Sequence, residues 1–144
     1  MTLVRLMYAS RAADSVNHDA LHAILRQSQR NNPTLGITGL LCCCSSGVYI
    51  QALEGGRSVV SQLYHRIATD PRHHDVVLLN YDEVGERRFA SWSMGQVNMD
   101  RLNPALLLKY SATARLDPYS VSGKVSLALF DELVATASVM CDRG

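Results

Sequence analysis

Five segments of the chain alternate or cluster apolar residues in the way that β-strands do. The second and third segments are separated only by Ser45, Ser46 and Gly47, which predicts a tight hairpin between them. In the third segment the alternation places Gln51 on the same face as Tyr49 and Leu53, so its amide lies in an apolar row. Four predicted strands are residues 3–10, 40–44, 48–54 and 76–81, and a fifth lies within 89–99.

Apolar residues at helical spacing predict two helices between these strands. The first has Ile24 on its inner face and Asn17 as its N-cap, and it is expected to end before Pro33. The second has Ser58 as its N-cap and ends before Pro71.

This order of elements (β-α-β-β-α-β-β) predicts an α+β fold with a ferredoxin-like sheet and one added strand, with both helices on one face. Two further helices are predicted at 103–110 and 121–140. The apolar stripe of the last helix favours packing against the other face of the sheet or against another subunit. We therefore divide the chain into a sheet-forming domain, residues 1–100, and a C-terminal helical extension of the same domain, residues 101–144.

Composition and charge narrow the classes of function. The chain has 144 residues, which suits one domain, and a formal net charge of +1, which argues against partners such as nucleic acid or an anionic membrane surface. No apolar run approaches the length of a membrane span, and the first residues lead directly into a strand pattern, so we expect a cytoplasmic protein.

The cysteines and histidines do not form a pattern that is typical of a metal site. Cys42, Cys43 and Cys44 are consecutive in a predicted strand, where neighbouring side chains point to opposite faces. His73 and His74 are adjacent and, like His65, have no flanking carboxylate pattern. We therefore expect reduced, buried thiols, solvated or capping histidines, and no metal.

The amide of Gln51 requires a polar partner, because an unpaired buried amide costs about 1–3 kcal/mol. That partner is a neighbouring strand, a buried water or a bound molecule. Tyr8 has a comparable position in the first strand, because it lies in a row of apolar residues with Val4 and Leu6. The two positions together favour a site rather than ordinary core packing.

Six short segments resemble, in order and spacing, the BLUF family of flavin-binding blue-light sensors, and particularly its short stand-alone members. The resemblance extends over residues 1–100, and 108–111 with the closing helix resemble the stand-alone subgroup as well. The loop 42–47 is one residue longer than in compact members. The matching segments are 5–10 (RLMYAS), 28–33 (SQRNNP), 36–41 (GITGLL), 51–55 (QALEG), 70–74 (DPRHH) and 92–94 (WSM).

The resemblance implies that Tyr8 is the photochemical electron donor and that the amide of Gln51 lies between this tyrosine and the flavin ring. The residue types suit these roles. A phenol can release an electron and a proton together, and a primary amide has a donor end and an acceptor end, so reorienting it changes its hydrogen bonds. On residue type alone, Tyr8 as a core tyrosine remains an alternative.

The resemblance also implies flavin contacts from five other residues. Asn31 and Asn32 match positions at the polar edge of the ring, Ile24 matches a residue that packs against the ring, and Arg66 and Asp70 match contacts with the ribityl and phosphate tail. An arginine fork can bond two phosphate oxygens. As alternatives, the asparagines are a helix stop, Ile24 is a core residue, and Arg66 and Asp70 form a surface pair four residues apart.

Trp92 and Met94 are expected on one face of the last strand, and the resemblance implies that this pair transmits the signal. One of the two side chains would approach Gln51, and the sequence leaves open which one. Plain core packing of both residues is the alternative.

The resemblance therefore implies a blue-light photoreceptor without catalytic turnover, which binds a flavin: FAD first, with FMN or riboflavin as alternatives. Light-driven transfer from Tyr8 and rearrangement at Gln51 would produce a reversible, red-shifted signalling state. The stand-alone members imply a homo-oligomer and a downstream regulator protein, often response-regulator-like. Two rivals stay open: a flavin-dependent reductase, for which no dinucleotide fingerprint is present, and a cofactor-free ferredoxin-like binding module.

Overall fold

A computed structural model describes residues 2–12, 18–43, 47–115 and 117–135. The elements alternate between strands and helices in the first half, and helices follow at the end. In chain order they are β1 (Leu3–Ala12), α1 (His18–Leu35), β2 (Thr38–Cys43), β3 (Val48–Gly56), α2 (Arg57–Ala68), β4 (His73–Glu83), β5 (Gly95–Asn98), a 3₁₀ turn (Met99–Arg101), α3 (Pro104–Leu108) and α4 (Gly123–Ala135).

The five strands form one sheet in the order β4-β1-β3-β2-β5. β1 pairs antiparallel with both β3 and β4, β2 pairs antiparallel with β3, and β5 adds to the edge parallel to β2. This is the ferredoxin-like arrangement with an additional strand, and it confirms the predicted α+β fold.

Alternation along the central strands divides the core into two layers. Leu6, Tyr8 and Leu53 lie on the face that α2 covers through Val60. On the opposite face, a second cluster joins the sheet to the helices of the tail; it includes Met7, Leu40, Ile50, Ala52, Leu107, Leu129, Phe130 and Leu133. The chain's own tail therefore covers the second face of the sheet, as the fold prediction required.

The predicted end of the first helix is wrong, because α1 continues through Pro33 to Leu35. Gly36, with φ of 70°, ends it in the left-handed conformation. The N–H of Ile37 bonds to the carbonyl of Asn32 at 2.9 Å and that of Gly36 to the carbonyl of Pro33 at 3.3 Å, the pattern of a Schellman cap. A proline in the last turn removes one donor, and this cap completes the turn without it.

The predicted cap of the second helix is also wrong. Gly56 is the N-cap of α2 and supplies no side-chain bond, and Ser58 lies inside the helix. Pairing of Gly56 with Leu3, followed by a bond from the N–H of Arg57 to the carbonyl of Thr2, carries the strand directly into the helix. Asn17, the hairpin residues 44–46 and the predicted end of the last helix, 136–140, lie outside the described residues.

The last two strands differ from their predictions in length. β4 is longer than expected, and as an edge strand it leaves Val77, Leu78 and Tyr81 exposed. β5 is shorter, so that Trp92 and Met94 precede it in an irregular segment. Within the described ranges, no helix has the length and the apolar character that crossing a membrane requires.

A buried carboxylate joins the centre of the sheet to that irregular segment. Glu54, which is fully buried, bonds Arg5 of β1 at 2.9 Å. Its carboxylate also accepts the backbone N–H groups of Arg88 at 2.9 Å and Phe89 at 2.7 Å. The charge is thus compensated and its oxygens are used, as a buried carboxylate requires.

We expect Glu54→Ala to lower the free energy of unfolding by about 3–5 kcal/mol, because it leaves Arg5 buried without its counter-charge. Urea unfolding followed by circular dichroism measures the loss. Glu83→Ala is the matched control: it removes an exposed carboxylate that pairs with Arg57, and such pairs contribute about 0–1 kcal/mol. Equal losses in the two variants would contradict the structural role of Glu54.

Candidate functional site

A cleft opens between α1 and α2 on the α2 face of the sheet. Its floor is formed by strand residues, one wall by α1, the other by α2, and its mouth by the connection from α2 to β4. The lining residues are Tyr8, Gln51 and Leu53 from the strands, Gln27, Ser28, Asn31, Asn32 and Leu35 from α1, Leu63, Arg66 and Ile67 from α2, and Asp70, Arg72 and His73 at the mouth.

The cleft brings together six of the seven residues predicted to bind a flavin: Tyr8, Asn31, Asn32, Gln51, Arg66 and Asp70. Ile24 belongs to α1 by its backbone, and its side chain lies outside the described part of the structure. The residues come from four separate stretches of the chain, and the fold places them around one cavity.

Tyr8 and Gln51 form the floor of the cleft. They are directly opposite partners in the β1–β3 register, and the hydroxyl of Tyr8 donates a hydrogen bond to Oε1 of Gln51. Both side chains are buried. Burial raises the pKa of the Tyr8 phenol, and the charges of Tyr64 and Asp70 raise it further. The phenol therefore keeps its proton and stays a hydrogen-bond donor to the amide.

The other end of the Gln51 amide meets Met94. Nε2 of Gln51 donates to Sδ of Met94 at 3.3 Å, and Met94 is buried in the core layer that contains Tyr8. A thioether is a weak acceptor, so the amide is held firmly at its oxygen end and loosely at its nitrogen end. Met94 is thus the residue that approaches Gln51 in this structure.

The prediction that Trp92 and Met94 share a face is wrong. Trp92 packs against the core layer on the other side of the sheet, together with α4. The alternation rule applies to a strand, and residues 92–94 are not part of one. Irregular backbone turns the two side chains to opposite layers.

The last turns of α1 hold this irregular segment in place. Nδ2 of Asn32, which is buried, donates to the carbonyl of Ser93 at 2.6 Å. Nε2 of Gln29 donates to the carbonyl of Met94 at 3.3 Å. Asn31 and Asn32 both lie within α1, so neither of them acts as a helix stop. Asn32 and Gln29 instead link the α1 wall of the cleft to the backbone on each side of Met94.

The mouth of the cleft contains an ion pair that the sequence analysis missed. Arg72 binds both carboxylate oxygens of Asp70, with Nη2 to Oδ2 at 2.6 Å, and this guanidinium lowers the pKa of Asp70. Nη2 of Arg72 also reaches Oε1 of Gln27 on α1 at 3.4 Å. Asp70 follows the end of α2 and pairs with Arg72, which replaces the surface pair with Arg66 that the sequence left open as an alternative.

His73 was also missed as a cleft residue. Its Nε2 lies 2.7 Å from the carbonyl of Ile67 and its Nδ1 lies 3.1 Å from Oγ of Ser10. Because a carbonyl only accepts, Nε2 carries a proton and donates it to the carbonyl of Ile67, and in the neutral ring Nδ1 accepts from the serine hydroxyl. His73 therefore caps the end of α2, which agrees with the predicted capping role. Both missed residues, Arg72 and His73, were visible only as neighbours of Asp70 in the segment 70–74.

The residues of the cleft suit a flavin. Amides of Asn31, Asn32 and Gln51 can bond the polar edge of a flat ring, whereas Leu53, Leu63 and Ile67 offer apolar contacts to its faces. Arg66 and Arg72 at the open side suit an anionic phosphate. Among the described residues, no cluster of three or more histidine, cysteine or acidic side chains could hold a metal ion.

Curated relatives share the sensor region. The chain is 36% identical over 102 residues to the photoactivated adenylate cyclase subunit beta of Euglena longa, which covers 70% of this chain and 12% of that protein. It is 32% identical over 92 residues to the blue light- and temperature-regulated antirepressor BluF of Escherichia coli K12, covering 64% of this chain and 23% of that one. The chain thus spans a small part of these relatives.

Two solved structures are similar over nearly their full length. The dark state of BlrB, a BLUF protein, superimposes with a TM-score of 0.79 and 30% identity over 94% of this chain and 97% of that one. The photo-activated state of BlsA gives 0.81 and 28% identity over 92% and 94%. Residues 3–95 match the family described as sensors of blue light using FAD. The chain therefore belongs to the BLUF family.

Proposed function

We propose that this protein is a blue-light photoreceptor that binds FAD in the cleft between α1 and α2 and reports light through the hydrogen bonds of Gln51. The observation that carries the proposal is the buried chain from the hydroxyl of Tyr8 through the amide of Gln51 to Sδ of Met94. This chain of hydrogen bonds lies at the floor of the cleft. The amide bonds the phenol strongly and the thioether weakly.

FAD, when bound, supplies the absorption of blue light and the oxidising power of an excited flavin. Tyr8 is the source of the electron and of the hydroxyl proton, which it holds in the dark because burial raises the pKa of the phenol. Gln51 then reorients or tautomerises, and the electron and the proton return to Tyr8, so that only the hydrogen bonds remain changed. A reversed amide presents its NH₂ group toward Tyr8 and its oxygen toward Met94, which changes the hydrogen bonds without breaking any bond between heavy atoms.

The remaining cleft residues bind and orient the cofactor. We assign Asn31, Asn32 and Ile24 to the ring, and Arg66 and Asp70 to the ribityl and phosphate tail. Arg72 and His73 join this second group because they line the same mouth. A guanidinium can bond two phosphate oxygens at once, which suits Arg66 and Arg72 for the tail.

Signal transmission is assigned to Met94 first and to Trp92 second. Met94 touches the amide that changes, whereas Trp92 packs on the other side of the sheet, against the core layer that contains α4. A rearrangement of Gln51 can therefore act through Met94 on its own side of the sheet and through Trp92 on the other side. The two belong to one short segment, so motion of the first moves the second.

We further propose that this domain, residues 1–100 with the helical extension 101–144, has no catalytic turnover and acts as a homo-oligomer on a separate regulator protein in the cytoplasm, which for stand-alone members is often response-regulator-like. Leu107 and Leu129 of the extension pack into the core of the sheet, which supports one domain. Named relatives include a photoactivated cyclase subunit and an antirepressor, so their sensors are joined to different outputs.

Tyr8→Phe removes the hydroxyl and keeps the ring, so we expect the variant to bind flavin and to lose the reversible red shift under blue light. Absorption spectra in darkness and after illumination measure both properties. Tyr64→Phe is the control, because its ring lies 5.6 Å from that of Tyr8 and the substitution is the same. A normal red shift in Tyr8→Phe would overturn the assignment of the donor.

Gln51→Leu removes the amide at nearly unchanged volume, and we expect a yellow protein that shows no light-induced shift. The same illumination experiment applies, with Gln62→Leu on the exposed side of α2 as the matched control. A shift that persists in Gln51→Leu would mean that another group changes around the flavin. Turnover of NAD(P)H in darkness by the wild type would favour the reductase instead.

A further inference from the structure

An irregular segment runs from the α4 face of the sheet to the floor of the cleft. We call residues 87–94, between β4 and β5, the bridge. At its cleft end, Ser93 accepts the bond from Asn32 and Met94 accepts the bond from Gln51. The end of the bridge is therefore bonded to two residues that surround the flavin site.

The other end of the bridge is bonded to α4. Nη1 of Arg88 lies 2.7 and 2.6 Å from the two carboxylate oxygens of Asp131. The ring of Phe89 packs edge-on against that of Phe130, with centroids 6.1 Å apart. Two consecutive bridge residues thus contact two consecutive residues of α4, one pair charged and one pair aromatic.

Between its ends the bridge is fixed to the sheet. The carboxylate of Glu54 holds the N–H groups of Arg88 and Phe89, and the carbonyl of Trp92 accepts the N–H of Gly39 at 3.1 Å. A segment that is this short and attached at both ends has few free torsions. Met94 and Arg88 are therefore joined by a short path of bonded backbone, which is what coupling between them would require.

We propose that the Arg88–Asp131 pair, supported by Phe89 and Phe130, is the output contact of the sensor, through which the state of Gln51 sets the position of α4. This inference rests on the proposed function, since it needs a light-driven change at Gln51. Arg88 and Asp131 act as positioning residues: they lie on the side of the sheet opposite Tyr8 and act through the bridge.

Asp131→Asn tests the proposal, because it removes the charge at constant size from a pair that is partly exposed and contributes little to folding. The measurement is hydrogen exchange of the α4 amides in the flavin-loaded full chain, in darkness and under blue light. Glu132→Gln is the matched control. It removes the neighbouring charge, which binds Lys109 at 2.5 Å and ties α4 to the end of α3 rather than to the bridge.

In the wild type and in Glu132→Gln we expect light to change the exchange rates of α4 by at least about fivefold, the lower limit of ordinary coupling. In Asp131→Asn this difference falls below about twofold, while the red shift of the flavin is unchanged. The exchanged pair Arg88→Asp with Asp131→Arg restores it. If Asp131 contributed only to stability, its substitution would not remove the light response of α4 while the red shift of the flavin stays unchanged.

An undiminished light response of α4 in Asp131→Asn, or no recovery in the exchanged pair, would overturn the inference. So would a wild type whose flavin shifts to the red while exchange in α4 stays the same, and that result leaves the proposed function standing. A wild type that binds flavin and shows no red shift contradicts the proposed function itself, and the two failures are thereby distinguished.

Discussion

The pairing of β1 with β3 is the constraint on which the site depends. It sets Tyr8 directly opposite Gln51, and both side chains point to the face covered by α2. A slip of one residue in either strand would turn one of them toward α4 and separate the phenol from the amide. The register is held by the apolar partners on both faces and by the Arg5–Glu54 pair, which joins the same two strands.

Glu54 connects this central pairing to the part of the chain that is least regular. Its carboxylate holds the backbone at Arg88 and Phe89, so the segment that carries Met94 begins from a fixed point. The same segment is fixed near its far end by Asn32. Met94 therefore reaches Gln51 through irregular backbone that is hydrogen-bonded near both ends.

The cleft combines two kinds of polar group at two depths. The amide of Gln51 and the phenol of Tyr8 lie at its floor, where a charge would be costly to bury, and the charged side chains of Asp70 and Arg72 lie at its mouth. A ligand with a flat, neutral, hydrogen-bonding ring and an anionic tail matches this order. The pair between Arg72 and Asp70 keeps both charges compensated at the mouth, and the bond from Arg72 to Gln27 links the mouth to the α1 wall.

The sequence by itself determined the order of the elements, the ferredoxin-like sheet and the shared face of Tyr8 with its apolar neighbours, because these follow from local periodicity. It also indicated that Gln51 needs a polar partner, since buried amides are costly when unpaired. The resemblance to the BLUF family suggested the flavin-binding residues, and the fold gathers six of those seven around one cleft. Two helix ends differ from the predictions for different reasons: a Schellman cap, which is itself local, let α1 pass Pro33, and the long-range pairing of Gly56 with Leu3 started α2 at Arg57.

Only the tertiary structure decided which side chains are in contact. Met94 rather than Trp92 meets Gln51, because Glu54 and Asn32 hold residues 88–94 in a path that no periodicity describes. Asp70 pairs with Arg72 because α2 ends before it, and Arg88 meets Asp131 because α4 returns across the sheet. These contacts join residues far apart in the chain or beyond a helix end, and a sequence pattern carries information only about neighbours within one regular element.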